Sequence, residues 1–402
     1  MHILMAHEYY RLPGGEDETF EGRRNLLRAR GHRVTEYVRR SAEIEASGPL
    51  KKAMLPLRAI WSSEAKRDLA RMLAEDKPDV AHFSNTFPLI SPSVYWACRE
   101  AGVPVLQNLE NPRLMCPSNS LFRDGKLCHD CVGRFPWPGI VHGCYHGSAA
   151  TAVVAGMVGV HRLLDTWNRK VDGYLVATEF YRRKFIEIGI REDRLHLCPL
   201  PVEDPGARPR DTVGDYALYL GRLAPEKGTL SLLEAWKDLE IPLKIRGSGE
   251  HEPEARALAA ANPHVELLGR LTIDERNKLL RGARFLVWPS LGEYETCGLV
   301  VTEAFACGVP VLASRTGVAT ERVVDGQTGI HFEANDPADL ARKARWCWEH
   351  PAEMSVMGRN GRVVYEQGLT ASNCIDRMLA IYKEVLDRQQ AVGGRAAAVA
   401  AV

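Results

Sequence analysis

With 402 residues, 45% of them apolar and 26% charged, the chain is long enough for two domains of ordinary size, each with its own core. A formal net charge of only +1 excludes nucleic-acid binding through bulk charge, which needs a sustained basic excess to release counterions. The opening residues MHILMAH carry neither a basic n-region nor a long apolar h-region, so the expectation is a cytoplasmic protein without a signal peptide.

Short apolar runs alternate with helical patterns from the start. Residues 2–7, 33–38, 80–83, 103–109, 174–177 and 195–197 read as buried strands, and 16–30, 64–75 and 91–101 carry apolar positions at helical spacing. Such alternation predicts a parallel, doubly wound sheet. The most apolar stretch, 149–160, has about half the length that spans a bilayer.

Residues 199–210 contain several prolines and a glycine, and no regular element survives that composition, so a linker is placed there. Strands are then expected at 216–221, 243–247, 265–269, 285–289 and 309–314, with helices at 230–239, 254–261, 273–283 and 299–307. Two such units in series predict a ligand cleft at the carboxyl ends of the strands, between the domains. The Gly- and Ala-rich stretch 392–402 reads as a frayed tail.

Chemistry concentrates in the second half. Gly221-Arg222-Leu223-Ala224-Pro225-Glu226-Lys227-Gly228 leaves a strand and opens a helix, and two cations ahead of a helix N-terminus suit a diphosphate. Arginine bridges two phosphate oxygens, while lysine acts as a point charge. Arg246-Gly247-Ser248-Gly249-Glu250 repeats the strand–glycine–helix passage. Glu295 and Glu303 stand eight positions apart, one in a loop and one in the following helix, and so suit different parts of one long ligand. Glu303-Ala-Phe-Ala-Cys-Gly-Val-Pro-Val311 then reads as helix, glycine stop and buried strand. Each motif also has a bland reading as a solvated helix entry or an ordinary turn.

Together, in this order and spacing, the three motifs Gly-Arg-Leu-x-x-Glu-Lys-Gly, Glu-x7-Glu and Glu-Ala-x-Ala-x-Gly-x-Pro-Val resemble the family 4 retaining glycosyltransferases of the GT-B fold, over roughly residues 1–390. The likeness implies an α/β architecture of two Rossmann-like doubly wound domains facing each other across a cleft. These are an acceptor-binding domain at 1–198 and a nucleotide-sugar-binding domain at 211–370, followed by a C-terminal helix within 371–402 that packs back on the first domain. It implies that Arg222 and Lys227, with Gly221 and Gly247 beside them, hold the donor diphosphate, that Glu303 holds the ribose hydroxyls, and that Glu295 with the amides of Thr296, Cys297, Gly298 and Leu299 meets the donor sugar. Arg270 and Leu271 would face the base through main-chain groups, and Gly14 and Gly15 would form the glycine loop near the donor phosphates. The implied reaction is metal-independent transfer of a hexose from a nucleotide-diphosphate sugar, UDP first, to a hydroxyl of a glycan, lipid-linked sugar or small natural product. Two other readings share the fold: a nucleotide-sugar epimerase, and a binding protein that has lost its chemistry.

Several positions depart from the resemblance. His82, near a strand end, is a candidate site residue, but Ser84 stands where relatives often carry a second histidine. Glu110 occupies the place of a usual histidine in Leu109-Glu110-Asn111, and a carboxylate there suits an amine on the substrate. The ten cysteines are too dilute for a disulfide scaffold, but Cys116, Cys128, Cys131 and Cys144 are bunched. They fit a structural zinc site ordering a long loop, a redox-sensitive disulfide, or small buried hydrophobes. The basic and apolar stretch 51–61 reads first as an amphipathic loop and helix start, and second as a peripheral contact with an anionic membrane.

Overall fold

The computed structural model describes every residue except 12, 13, 210, 211, 270, 294, 401 and 402, together with the side chains of 392–400. The chain divides into two units: Met1–Asn119, His129–Pro201 and Cys374–Val402 form the first, Ser120–Cys128 and Val202–Asn373 the second.

The first unit is built on β1 (His2–Tyr9), β2 (Arg33–Arg40), β3 (Val80–Phe83) and β4 (Val105–Asn108). A two-stranded hairpin, β5 (Phe122–Arg123) and β6 (Lys126–Leu127), comes next in the chain and groups with the second unit. The first sheet is completed by β7 (Gly173–Val176) and β8 (Leu195–Leu197), in the order β2-β1-β3-β4-β7-β8 with every neighbouring pair parallel. Parallel strands are covered on both faces and therefore read as continuous apolar runs. β3, β4 and β7 are buried at every position, while the edge strand β2 carries Arg33, Glu36, Arg39 and Arg40, which discourage pairing with another chain.

The second unit repeats the plan with β9 (Tyr216–Leu220), β10 (Leu243–Arg246), β11 (Val265–Leu268), β12 (Ala283–Trp288), β13 (Val311–Ser314) and β14 (Gly329–Phe332). Their order is β11-β10-β9-β12-β13-β14, again all parallel. The order reverses at β9, so the loops leaving β9 and β12 diverge to opposite sides and leave room for a ligand at their carboxyl ends. Its core gathers Tyr219, Leu232, Trp236, Ile245, Phe285, Val287, Leu312 and Leu340.

The core of the first unit joins Ile3, Met5, Phe20, Leu27, Val80, Leu106 and Leu175 to Ile375, Met378, Ile381, Tyr382 and Val385. The last five recur at helical spacing along the helix Ala371–Ala400, with Ile381 and Tyr382 adjacent, and form one apolar stripe laid on the sheet. The predicted tail at 392–402 falls partly within that helix, and residues 401 and 402 lie outside the described residues.

Most predicted elements occur within a few residues of their expected bounds. The expected helix at 91–101 begins only at Val94, because Ser91 adopts φ 60° and its hydroxyl receives the Ser62 backbone N–H at 2.9 Å instead of entering a helix. The apolar stretch at 149–160 lies in the helix Ser148–Leu163, and among the described residues no helix is long and apolar enough to cross a membrane. Residues 51–61 fall in two short helices, Pro49–Ala53 and Leu55–Ile60, that bury Ala59 and leave Leu50 and Leu57 exposed.

Glu8 of β1 is fully buried, and although its carboxylate accepts the Leu89 N–H at 2.6 Å, burial pushes its pKa up from 4.5 to about 7. A carboxyl with a raised pKa favours the folded state while protonated, so this contribution is lost as the pH rises from the unfolded value through about 7. A Glu8→Gln variant is therefore expected to gain stability over the parent on going from pH 5 to pH 8, on the order of 3 kcal/mol. Urea unfolding at the two pH values measures the gap, and an equal difference at both would contradict it.

Candidate functional site

Three loops at the carboxyl end of the second sheet are joined by their backbones. The Gly221 N–H donates to Arg246 O at 3.1 Å, Leu223 N–H to Ser248 O at 2.9 Å, and His251 N–H to Leu223 O at 2.9 Å. The approach is so close that a Cβ on Gly247 would stand 2.0 Å from Gly221 O. On the other side Leu291 N–H donates to Glu226 O at 2.9 Å, and Gly228, at φ 68°, would place a Cβ 2.0 Å from Pro289 O. Only glycine fits at these positions, for want of space at Gly247 and for both space and conformation at Gly228.

The side chains of these loops form a charged cluster. Lys227 ends a single 3₁₀ turn, Pro225–Lys227, and its Nζ donates to Glu295 Oε1. Glu295 Oε1 also accepts Trp288 Nε1–H at 3.2 Å and Ser290 Oγ–H at 3.1 Å. Burial alone would raise the Glu295 pKa, but the Lys227 ammonium and these hydrogen bonds outweigh it and hold the carboxyl below its ordinary value. Arg222 is half exposed and donates from Nη2 to Glu226 Oε1 at 2.6 Å. Glu303, in the helix Leu299–Ala306, pairs with Arg276 at 2.9 Å.

Gly298, at φ 64°, caps that helix, and a Cβ there would meet Trp288 at 2.9 Å. Thr296 is buried, Cys297 O accepts Arg322 Nε–H at 3.0 Å, and Leu299 opens the helix, where first-turn amides have no intrahelical partner. Leu271 follows β11 in a loop, and Arg270 lies outside the described residues. Arg276, Trp288 and Ser290 were not singled out by sequence. Arg276 is one of several charged residues on its helix, and its pairing with Glu303 spans a separation that no local pattern encodes.

In the first unit Gly14 caps the helix Gly15–Ala29, its N–H bonded to Asp17 Oδ2 at 3.1 Å. Asp17 Oδ1 receives His7 Nε2 at 2.8 Å, so a buried acid braces the glycine loop from below. A Cβ at Gly14 or Gly15 meets nothing within 4 Å.

Two expectations for this unit are corrected. His82 is fully buried in β3, with Nδ1 bonded to the Tyr382 hydroxyl and Nε2 to Asn108 Oδ1 at 2.8 Å. Burial, with help from the Arg23 charge, pushes its pKa down to about 3, so the ring is neutral and unavailable to a ligand. Ser84 joins the same interior network, its hydroxyl accepting from Asn108 Nδ2 at 2.9 Å. Glu110 already has a cation: Arg23 Nη1 lies 2.5 Å from its Oε1, and both side chains are nearly shut off from solvent. It therefore does not await a substrate amine.

The zinc expectation is corrected as well. Among the described residues no group of three or more His, Cys, Asp or Glu is placed to hold a metal ion, and the spacing of Cys116, Cys128, Cys131 and Cys144 along the chain does not bring them into such a group. Cys116 Sγ lies 3.1 Å from Ser118 Oγ, Cys131 is buried beside Gly139, and the N–H groups of Cys128 and Cys144 donate to Leu121 O at 2.9 Å and Gly139 O at 3.1 Å, so each of the four has local neighbours of its own. A cavity of about 540 Å³ lies elsewhere in the second unit, lined by Asp325, Arg342, Lys343 and Trp346, and none of the candidate residues borders it.

The family follows from two matches. Residues 14–201 match the glycosyl transferase 4-like domain, and residues 203–364 match glycosyl transferases group 1. The chain belongs to this glycosyltransferase family. This glycosyltransferase-family chain is 33% identical over 178 residues to an uncharacterized glycosyltransferase of Methanocaldococcus jannaschii, covering 43% of this chain and 50% of the relative. It is also 33% identical over 159 residues to the D-rhamnosyltransferase WbpZ of Pseudomonas aeruginosa, covering 39% and 42%. The chain thus spans about half the length of the curated relatives it matches. Anabaena HepE, crystallised with UDP, superposes with a TM-score of 0.68 at 16% identity, over 96% of this chain and all of that one, which identifies the GT-B fold.

The glycines separate into two kinds. Gly228→Ala is expected to cost at least about 2 kcal/mol, from a left-handed backbone and a carbonyl that has to move, whereas Gly14→Ala, at an N-cap with open space, should cost under about 1 kcal/mol. Thermal unfolding of the two variants checks this, and equal melting temperatures would refute the close-packing account.

Proposed function

We propose that the chain is a retaining, metal-independent glycosyltransferase that moves a hexose from a nucleotide-diphosphate sugar, UDP first, to an acceptor hydroxyl. The observation that carries this is the cation–carboxylate cluster of Lys227, Glu295 and Arg222 on loops that only glycine lets approach. It fits a group transfer in which charge develops on a diphosphate. UDP takes precedence because HepE was crystallised with it.

In the proposed reaction the bond from the sugar's anomeric carbon to the diphosphate breaks, and the acceptor oxygen bonds that carbon on the same face. The acceptor's proton passes to the departing phosphate oxygen. Arg222, half exposed, reaches for that phosphate, and Lys227 supplies a second, more sheltered charge. Glu295, kept ionised by Lys227, Trp288 and Ser290, accepts hydrogen bonds from sugar hydroxyls and faces the oxocarbenium character of the transition state. Glu303 holds the ribose, and the amides from Thr296 to Leu299 hold the sugar. Leu271 and Arg270 are assigned to the base, and Gly14 and Gly15 to the phosphates. A phosphate that takes the acceptor's proton needs no protein base, which agrees with a His82 buried and bonded at both nitrogens.

Calorimetry with UDP, GDP, dTDP and ADP tests the donor site. One nucleotide should bind, and an Arg222→Ala, Lys227→Ala double variant should lose it at least tenfold; equal binding by the variant would sink the assignment. A cycle of Lys227→Met and Glu295→Gln adds a sharper expectation. Each change alone should lower kcat by about 100-fold, and the pair together by much less than the product, because each residue sets the other's charge and position. Multiplicative losses would show that the two act separately.

A further inference from the structure

Arg113 lies in the turn after β4, with its backbone N–H held by Asn111 Oδ1 at 3.2 Å. Its guanidinium lies over two aromatic rings, 4.7 Å from the centroid of Phe87 and 5.4 Å from that of Tyr145. Nε and Nη1 are shut off from solvent and have no hydrogen-bond partner. The neighbouring carboxylate, Glu16, feels the Arg113 charge but takes its hydrogen bonds elsewhere, accepting from Tyr10 Oη at 2.9 Å and from Asn111 Nδ2 at 2.9 Å. Burial, with the nearby Glu110 charge, raises the Glu16 pKa, so it is a weaker anion than an ordinary glutamate.

A shielded cationic donor left without an acceptor costs stability, and native proteins rarely tolerate it without a reason. The two rings hold the guanidinium plane in place, Nε and Nη1 stay without an acceptor, and the residue as a whole is only partly buried. A guanidinium has two fork edges, Nε with Nη2 and Nη1 with Nη2, and here one nitrogen of each edge is orphaned. A carboxylate spans a single edge. A phosphoryl group pairs bidentately with one edge in the same way and keeps a further oxygen for other donors, and a diphosphate has oxygens enough for both edges.

We propose that Arg113, framed by Phe87 and Tyr145, binds a phosphoryl group carried by the acceptor, so that the acceptor is a phosphorylated molecule. The proposal rests on the glycosyltransferase reading for the word acceptor, but the site itself is testable without it. The other source of the same chemistry is the donor's own diphosphate.

The full-length protein is titrated calorimetrically with inorganic phosphate and pyrophosphate, with and without saturating UDP, and with UDP alone. The parent should bind phosphate or pyrophosphate in the presence of UDP. Arg113→Gln should weaken that binding at least tenfold and Arg113→Lys less, with UDP affinity changed less than twofold in both. Thermal melts of both variants confirm folding, and the lysine variant keeps the charge if glutamine disturbs the turn. No phosphate binding by the parent, or equal binding by Arg113→Gln, would overturn the site. A matching fall in UDP affinity would give the arginine to the donor and overturn the acceptor assignment. Loss of UDP binding in the Arg222→Ala, Lys227→Ala variant reads the donor site separately, so the two assignments fail independently.

Discussion

The second unit depends on three loops meeting backbone to backbone at the carboxyl end of its sheet. Gly221 and Gly247, and Gly228 and Pro289, approach so closely that any side chain at Gly247 or Gly228 would displace a carbonyl. Because the loops cannot separate without breaking the hydrogen bonds between them, the charges they carry are fixed as well. Lys227 is delivered to Glu295, and Glu295 to Trp288 and Ser290, by chain paths with little freedom. A charged group prepositioned in a sheltered site needs no reorganisation when charge develops beside it, which is where such groups act most strongly.

The first unit uses its buried polar residues differently. His82, Asn108, Ser84 and Tyr382 form an interior ladder that ties β3 and β4 to the last helix. Asp17 and His7 similarly brace the turn at Gly14. These groups are satisfied by one another, and that satisfaction is what lets them be buried. Arg113 is the contrast, a cation held by aromatic rings with Nε and Nη1 unused.

The doubly wound plan was legible because parallel strands buried on both faces leave apolar runs, and the strands at 80–83 and 195–197 lie where those runs stand. Helices of mixed composition near the chain's end, such as Pro337–Glu349 and Pro351–Val364, left weaker patterns and were not singled out. The glycine positions in the second unit were legible because close approach leaves glycine as the one residue that fits. Pairings across long separations were not: neither Arg23 with Glu110 nor Arg276 with Glu303 leaves a local trace. His82 stood as a candidate site residue because a strand-end histidine carries no sign of whether its ring faces a ligand or the tyrosine of a distant helix. The four bunched cysteines misled in the same way, since spacing along the chain does not say whether thiols converge.

The Arg23–Glu110 pair makes two distant positions depend on each other. Each charge is sealed from water and neutralised by the other, so replacing either alone strands an ion in the interior at a cost of several kcal/mol. Position 110 therefore depends on position 23: the histidine that the family resemblance leads one to expect there would leave the Arg23 charge without its carboxylate. The acid in the loop answers to a residue in a helix 87 positions earlier in the chain.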